Sequence, residues 1–154
     1  MVGLAGAYTR YSIDGLQKAL GEYDGINQAN YALISLTSLR KSFPTANELG
    51  MNMCVNPEDP PLDILDLVRV INNEADIARI LDQHDSLANG LTLCSGSLGA
   101  NPANDLPAIA SQFANSTHFA DLRNVRREPD GSFQEMAHLD GDTDMVTLVK
   151  FLLD

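Results

Sequence analysis

Apolar residues fall at helical spacing through the first fifty positions. "SIDGLQKALGEY" opens behind Ser12, a plausible N-cap, and Gly25 interrupts the pattern before "NQANYALISLTSLRKSF". Pro44 is expected to kink or end that second helix, because proline has no N–H to give to the preceding turn. Gly50 marks the helix exit. "MNMCV" then reads as a short buried strand, bounded by "NPEDPP", whose consecutive prolines cannot pair inside a sheet.

The same unit returns twice. "NEADIARILDQH" places Ile77, Ile80 and Leu81 on one helical face, and "GLTLC" follows as a strand running into "SGSLG". "DLPAIASQFA" is the next helix and "THFADL" the third strand. "RNVRREPDGSFQEMAHLDGD" reads as a long polar loop, irregular from Arg123 to Gly141, ahead of a last helix from Met145 to Leu153. Loops of that length are more often functional than accidental. Alternating strands and helices predict a parallel α/β sheet covered by helices. About three strands are too few to close a barrel, which takes eight, so the sheet must expose two edges or borrow neighbours. The pattern reads as a single domain over residues 1–154, with a helical lead-in over 1–50 and three βα units over 51–154.

Composition narrows the function classes. The 154 residues carry 21 acids against 10 Lys and Arg, a net charge of −11, scattered rather than blocked into a tail. Such a surface repels phosphate backbones and anionic lipids, so neither a nucleic acid nor a membrane is the expected partner. No apolar run approaches bilayer length, and "MVGLAGAYTRYSIDG" has no basic leader before an apolar stretch. Cys54 and Cys94 are too few for a disulfide framework. Together these features predict a reduced, cytoplasmic setting.

Chemistry-bearing residues gather where each strand ends. Asn56, Glu58 and Asp59 follow the first; Cys94, Ser95 and Ser97 end the second; the third carries His118 and Asp121, then Arg123, Arg126 and Arg127. In parallel α/β folds these ends converge on the ligand. Each residue also has a plainer reading. Cys94 could be a buried small hydrophobe and His118 a satisfied core imidazole. "SGSLG" is either a turn or a nest of backbone amides for an anion. Three arginines within five residues of an acidic chain suit a carboxylate, or simply solvent. His84 reads as a surface residue at a helix end. "AHLDGDTDM", with His138, Asp140, Asp142 and Asp144, is either an acid–base or metal cluster or the start of the last helix, capped by Asp142.

Several long motifs shift that balance. "NPEDPPLDIL", "SLANGLTLCSGSLGANPANDLP", "HFADLRNVRREPDGSFQE" and "AHLDGDTDM" occur in order, and the chain from about Ser12 onward resembles the C-terminal half of the mannonate dehydratase family. The resemblance implies a partial (β/α)8 TIM-type barrel, truncated to its C-terminal half. It also implies a metal-dependent lyase that dehydrates D-mannonate to 2-keto-3-deoxy-D-gluconate in hexuronate catabolism. Its implied cofactor is Fe(II) or Mn(II), which suits mixed nitrogen, sulfur and oxygen ligands. Carried over residue by residue, the metal ligands would be Cys94, Asp121, Asn56 and Asp144. The catalytic groups would be Asp144, Asp142 and His118, and Arg123, Arg126 and Arg127 would flank a small sugar-acid substrate.

Two positions depart from the family pattern. Asn56 stands where the family has the histidine of His-Pro-Asp-Asp-Pro-Pro, and Asp121 where it has the second histidine of "HF.HLRN". A neutral amide is a poor ligand for iron or manganese, so metal affinity is expected to fall. The family's N-terminal strands and a final "DHGH"-like motif have no counterpart in this chain. Two function classes follow: a lyase, with a second copy or a complementing chain completing the barrel, or a non-catalytic remnant or binding module.

Overall fold

The computed structural model describes residues 12–153. Ser12 caps α1 (Ile13–Gly21), its hydroxyl accepting the Gly15 N–H at 3.1 Å. Gly25 breaks the chain with φ +82°, and Asn27 caps α2 (Gln28–Glu48). The helical lead-in is therefore present over its described part; residues 1–11 lie outside the described residues.

Pro44 lies inside α2 and, of the two outcomes expected from sequence, does not end the helix. The neighbouring turn is held from outside: Phe43 and Ala46, 2% and 7% exposed, pack with Ala88 in a small satellite core. Tertiary burial there outweighs the hydrogen bond that proline forfeits. The same packing takes up His84. Its ring stacks on Phe43 with centroids 4.9 Å apart and planes 6° from parallel, so it is half-buried rather than a solvated helix end. Gly50, at φ +63°, closes the helix as expected.

The three expected strands form one parallel sheet in the order β1 (Met53–Val55), β2 (Asn89–Cys94), β3 (Thr117–Asp121). Met53 pairs with Asn89, and Cys94 with Asp121. Between the strands run α3 (Glu74–Leu81), α4 (Ser95–Ala100) and α5 (Leu106–Gln112), with a 3-10 turn at Ala114–Ser116. Asn73 and Asp105 cap α3 and α5. The "SGSLG" segment is thus neither a bare turn nor a nest: it is α4, and all six of its residues are buried.

One face of the sheet is covered. Leu91 and Leu93 pack there against Ala32 and Leu36 of α2, Ile77 and Ile80 of α3, Ile109 of α5, and Leu148 of α6 (Met145–Leu153). Strand alternation sends Cys54, Thr92 and Phe119 to the opposite face, where Phe119 is 59% exposed and Cys54 is exposed too.

The expected long loop is partly regular. β4 (Asn124–Arg127) and β5 (Phe133–Met136) form an antiparallel hairpin, with Val125 opposite Glu135. "EPDGS" turns it: Gly131 sits at φ +87°, and Asp130 accepts the Ser132 N–H at 3.0 Å. Asn124, 1% exposed, anchors the segment between β5 and α6. Its amide donates to the carbonyls of His138 (2.7 Å) and Thr143 (3.0 Å), and its oxygen accepts the N–H groups of Val125 (2.9 Å) and Thr143 (3.1 Å).

Replacing Asn124 by Ala leaves those buried backbone groups without partners. The expected loss is about 3 kcal/mol of unfolding free energy, measured by urea denaturation. A change within a few tenths of a kcal/mol would show that water takes over the role.

Candidate functional site at the strand ends

The "CSGS" run builds the site. Cys94 is the last residue of β2 and fully buried, and its sulfur accepts the Ser97 N–H at 3.4 Å, capping α4. The buried Ser95 hydroxyl donates to the Arg123 carbonyl at 2.6 Å and accepts the Arg123 N–H at 2.9 Å, which locks the end of β3 to the start of α4. Ser97 donates its hydroxyl to the carbonyl of Glu58, tying in the loop after β1. The Glu58 carboxylate in turn accepts the N–H groups of Val70 and Ile71 at 2.9 and 2.8 Å, closing that loop. Two hydroxyls thus bring the ends of all three parallel strands together.

Arg123 occupies the convergence point. Its Nη2 donates to Asp59 Oδ2 at 2.7 Å and to Cys94 Sγ at 3.1 Å, its Nε to Asp121 Oδ2 at 3.2 Å, and its Nη1 to Glu135 Oε1 at 2.5 Å. Asp121 Oδ2 lies 3.3 Å from Cys94 Sγ, as an acceptor for the thiol proton. The backbone of α4 approaches so closely that a Cβ at Gly96 would lie 2.9 Å from Cβ, Nε and Cζ of Arg123. Glycine is required at that position.

The electrostatics follow from this packing. Burial pushes the Cys94 thiol above its ordinary pKa, opposed by the hydrogen bond from Arg123. Arg123 is pushed further up, chiefly by its bond to Asp59 and then by Cys94, so it stays charged. At an effective dielectric near 20, opposite charges about 4 Å apart attract by about 4 kcal/mol before desolvation and entropy are deducted. All three acids are partly exposed, Asp59 at 38%, Asp121 at 40% and Glu135 at 62%, so each pair is worth well under that.

Of the residues that the family resemblance assigns to the site, only Cys94, Asp121 and Arg123 meet here. Asn56 is exposed and donates its amide to the Pro57 carbonyl at 2.9 Å. His118 is the second residue of β3, at the far end of the strand from Asp121. Its Nε2 lies 3.1 Å from the Leu87 carbonyl, and its ring covers Gly90, where a Cβ would overlap it. His118 is thus half-buried and partnered, away from the strand-end cluster.

Asp144, rather than Asp142, caps α6: its carboxylate accepts the Thr147 N–H at 3.0 Å and hydroxyl at 2.7 Å, and these contacts lower its pKa. Asp142 instead holds β4, its Oδ2 accepting the Arg127 N–H at 2.9 Å and Nε at 3.1 Å. Arg126 donates to the Asp140 carbonyl at 2.6 Å. Arg127, Asp142 and Asp144 line a separate cavity of about 380 Å³, with Asp105 and Asn104 on its other side. Of the two readings of "AHLDGDTDM", the arrangement therefore favours structure: Asp144 starts a helix and Asp142 pins a strand.

Asp59, one of the strand-end residues named from sequence, belongs to the cluster, and so does Glu135, which sequence reasoning misses. Asp59 stands in the strand-end "NPEDPP" and lies within reach of the strand-end rule. Glu135 becomes visible only once β5 exists.

A parallel α/β sheet with its polar cluster beyond the carboxyl ends of the strands is the arrangement of small-molecule-handling α/β proteins. Comparison with known proteins makes this specific: the D-mannonate dehydratase (UxuA) family matches residues 2–154, and the chain belongs to that family. It is 45% identical over 154 residues to Mannonate dehydratase 1 of Agrobacterium fabrum strain C58 and 46% identical over 154 residues to Mannonate dehydratase of Rhizobium meliloti strain 1021. Each match covers 98% of this chain, which spans about 38% of the length of those relatives. The crystal structure of mannonate dehydratase from Streptococcus suis serotype 2 superposes with a TM-score of 0.85 at 33% identity, covering 93% of this chain and 43% of that one.

The metal implied by the resemblance does not fit the donors in place. Among the described residues, no group of three or more His, Cys, Asp and Glu side chains is arranged to hold an ion. Around Cys94 the acids are spread over the guanidinium of Arg123.

Two measurements check this geometry. Alkylation with iodoacetamide near pH 8 is expected to label exposed Cys54 at least tenfold faster than buried Cys94, and peptide mapping reads the ratio. The second concerns Asp142, whose pKa is lowered first by the Arg127 N–H and then by its side chain. A folded pKa below the unfolded value near 3.9 stabilises the fold above that value and is lost as pH falls through the folded pKa. Asp142→Asn should therefore be less stable than the unaltered chain at pH 7, the gap narrowing below about pH 4, as read by urea midpoints. A gap independent of pH would count against the ionic contact.

Proposed function

We propose that this chain serves the dehydration of D-mannonate to 2-keto-3-deoxy-D-gluconate as one sector of a (β/α)8 barrel. The observation that carries the reading is the Cys94–Asp121–Arg123 cluster beyond the strand ends of a chain in this family. The proposed partner is a small sugar acid, with a second copy or a complementing chain supplying further strands to the two open edges. Neither nucleic acid nor membrane is a proposed partner. Among the described residues no helix is long and apolar enough to cross a bilayer, and a cytoplasmic setting is proposed on the sparse cysteines.

In this reading Arg123 pairs with the substrate carboxylate. Glu135, the most exposed of its acids, is the one most cheaply displaced. Asp121, beside Arg123, is then placed to take the proton next to that carboxylate, a weakly acidic position whose departure needs a nearby base. A proton must also reach the leaving hydroxyl, and the Cys94 thiol, kept protonated by burial, is the nearest acid to Asp121.

A second reading, a sugar-acid-binding module without turnover, is favoured by one observation: every acceptor facing Arg123 already holds it. Calorimetric titration with D-mannonate and an assay for 2-keto-3-deoxygluconate separate the two. Binding with turnover supports the lyase. Binding without turnover supports the module, and absence of binding removes both. Arg123→Gln is expected to weaken D-mannonate binding about tenfold or more, the value of one charge-assisted contact.

A further inference from the structure

We propose that the guanidinium of Arg123 is the resident cation of the strand-end cluster and excludes a divalent ion from it. Four acceptors from four separate segments reach this one group: Asp59 after β1, Cys94 at the end of β2, Asp121 at the end of β3 and Glu135 on β5. A guanidinium has five N–H donors, no acceptor, and stays charged across the pH range of a folded protein. No shift to higher pH can vacate the position, as it would vacate a lysine or histidine.

The position is built rather than sampled. Ser95 fixes the Arg123 backbone through both its N–H and its carbonyl, at 2.9 and 2.6 Å. Gly96 leaves just the space that the side chain fills, since a Cβ there would come within 2.9 Å of it. A divalent ion needs its ligands drawn in to about 2.0–2.3 Å around one point. Here the acceptors are spaced around a planar fork, at 2.5 to 3.2 Å from its nitrogens. A second cation added among them would meet the repulsion of the first.

Asp121 and Asn56 agree with this arrangement. Asp121 is an anion that Arg123 Nε holds at 3.2 Å. Asn56 turns its amide to the Pro57 carbonyl instead of toward the cluster.

Co(II) is the probe, followed by thiolate-to-cobalt absorption and by equilibrium dialysis of the folded chain. The unaltered chain is expected to show no Cys94-dependent band. Arg123→Met, with a native circular dichroism spectrum, is expected to take up about one ion per chain, and adding Cys94→Ser should abolish the uptake. Should Arg123→Met fail to fold, Arg123→Gln carries the test: it keeps amide N–H donors for the acids but no charge, and is expected to tighten Co(II) at least tenfold over the unaltered chain. A Cys94-dependent band in the unaltered chain overturns the proposal. So does a folded Arg123→Met, or in its stead Arg123→Gln, that binds no better. The inference concerns the site of the proposed lyase but is read without turnover, so either can fail alone.

Discussion

Three carboxylates and a buried thiol cannot share one corner of a protein without a cation, and Arg123 is the cation that lets them. The rest of the strand-end architecture depends on this contact. It joins four segments: the loop after β1, the end of β2, the end of β3 and the hairpin. The hydroxyls of Ser95 and Ser97 do the same for the backbone. Side chains and main chain are thus cross-linked at the same level of the sheet, and the end of each strand is fixed relative to the next.

Much of this was legible in the sequence. Strands of apolar and β-branched residues, the cap at Ser12, and the glycine exits at Gly25 and Gly50 all lie where their chemistry puts them. Local propensity failed where tertiary contacts decided. Pro44 stays inside α2 because Phe43 and Ala46 are buried beside it. "SGSLG" is helical because strand ends on both sides accept its serine hydroxyls, a fact no window of five residues contains. The hairpin was hidden by its polarity: adjacent Arg126 and Arg127, and adjacent Gln134 and Glu135, break any alternation with Val125 and Phe133 and look like solvated loop. Only the Pro-Asp-Gly turn announced it.

The site was half legible for the same reason. Strand register brings Cys94 opposite Asp121, and the rule that ligands gather at strand ends finds both. It overreached for His118, where three residues along a strand separate opposite ends of the sheet. The rule does not reach Asp142 and Asp144, which the acid-rich run and the family resemblance brought forward and whose carboxylates each accept a backbone N–H. Counting acids in a stretch of sequence does not reveal which of them already have partners.

The two margins of the sheet are unequal, and that sets where copies of the chain would stick to one another. β1 has three residues, enough for only a rung or two of ladder, so it makes a weak template. β3 has five, and Phe119 on its uncovered face is 59% exposed. Unwanted self-association at high concentration would therefore begin from the β3 side, and a lysine placed there would be the natural guard.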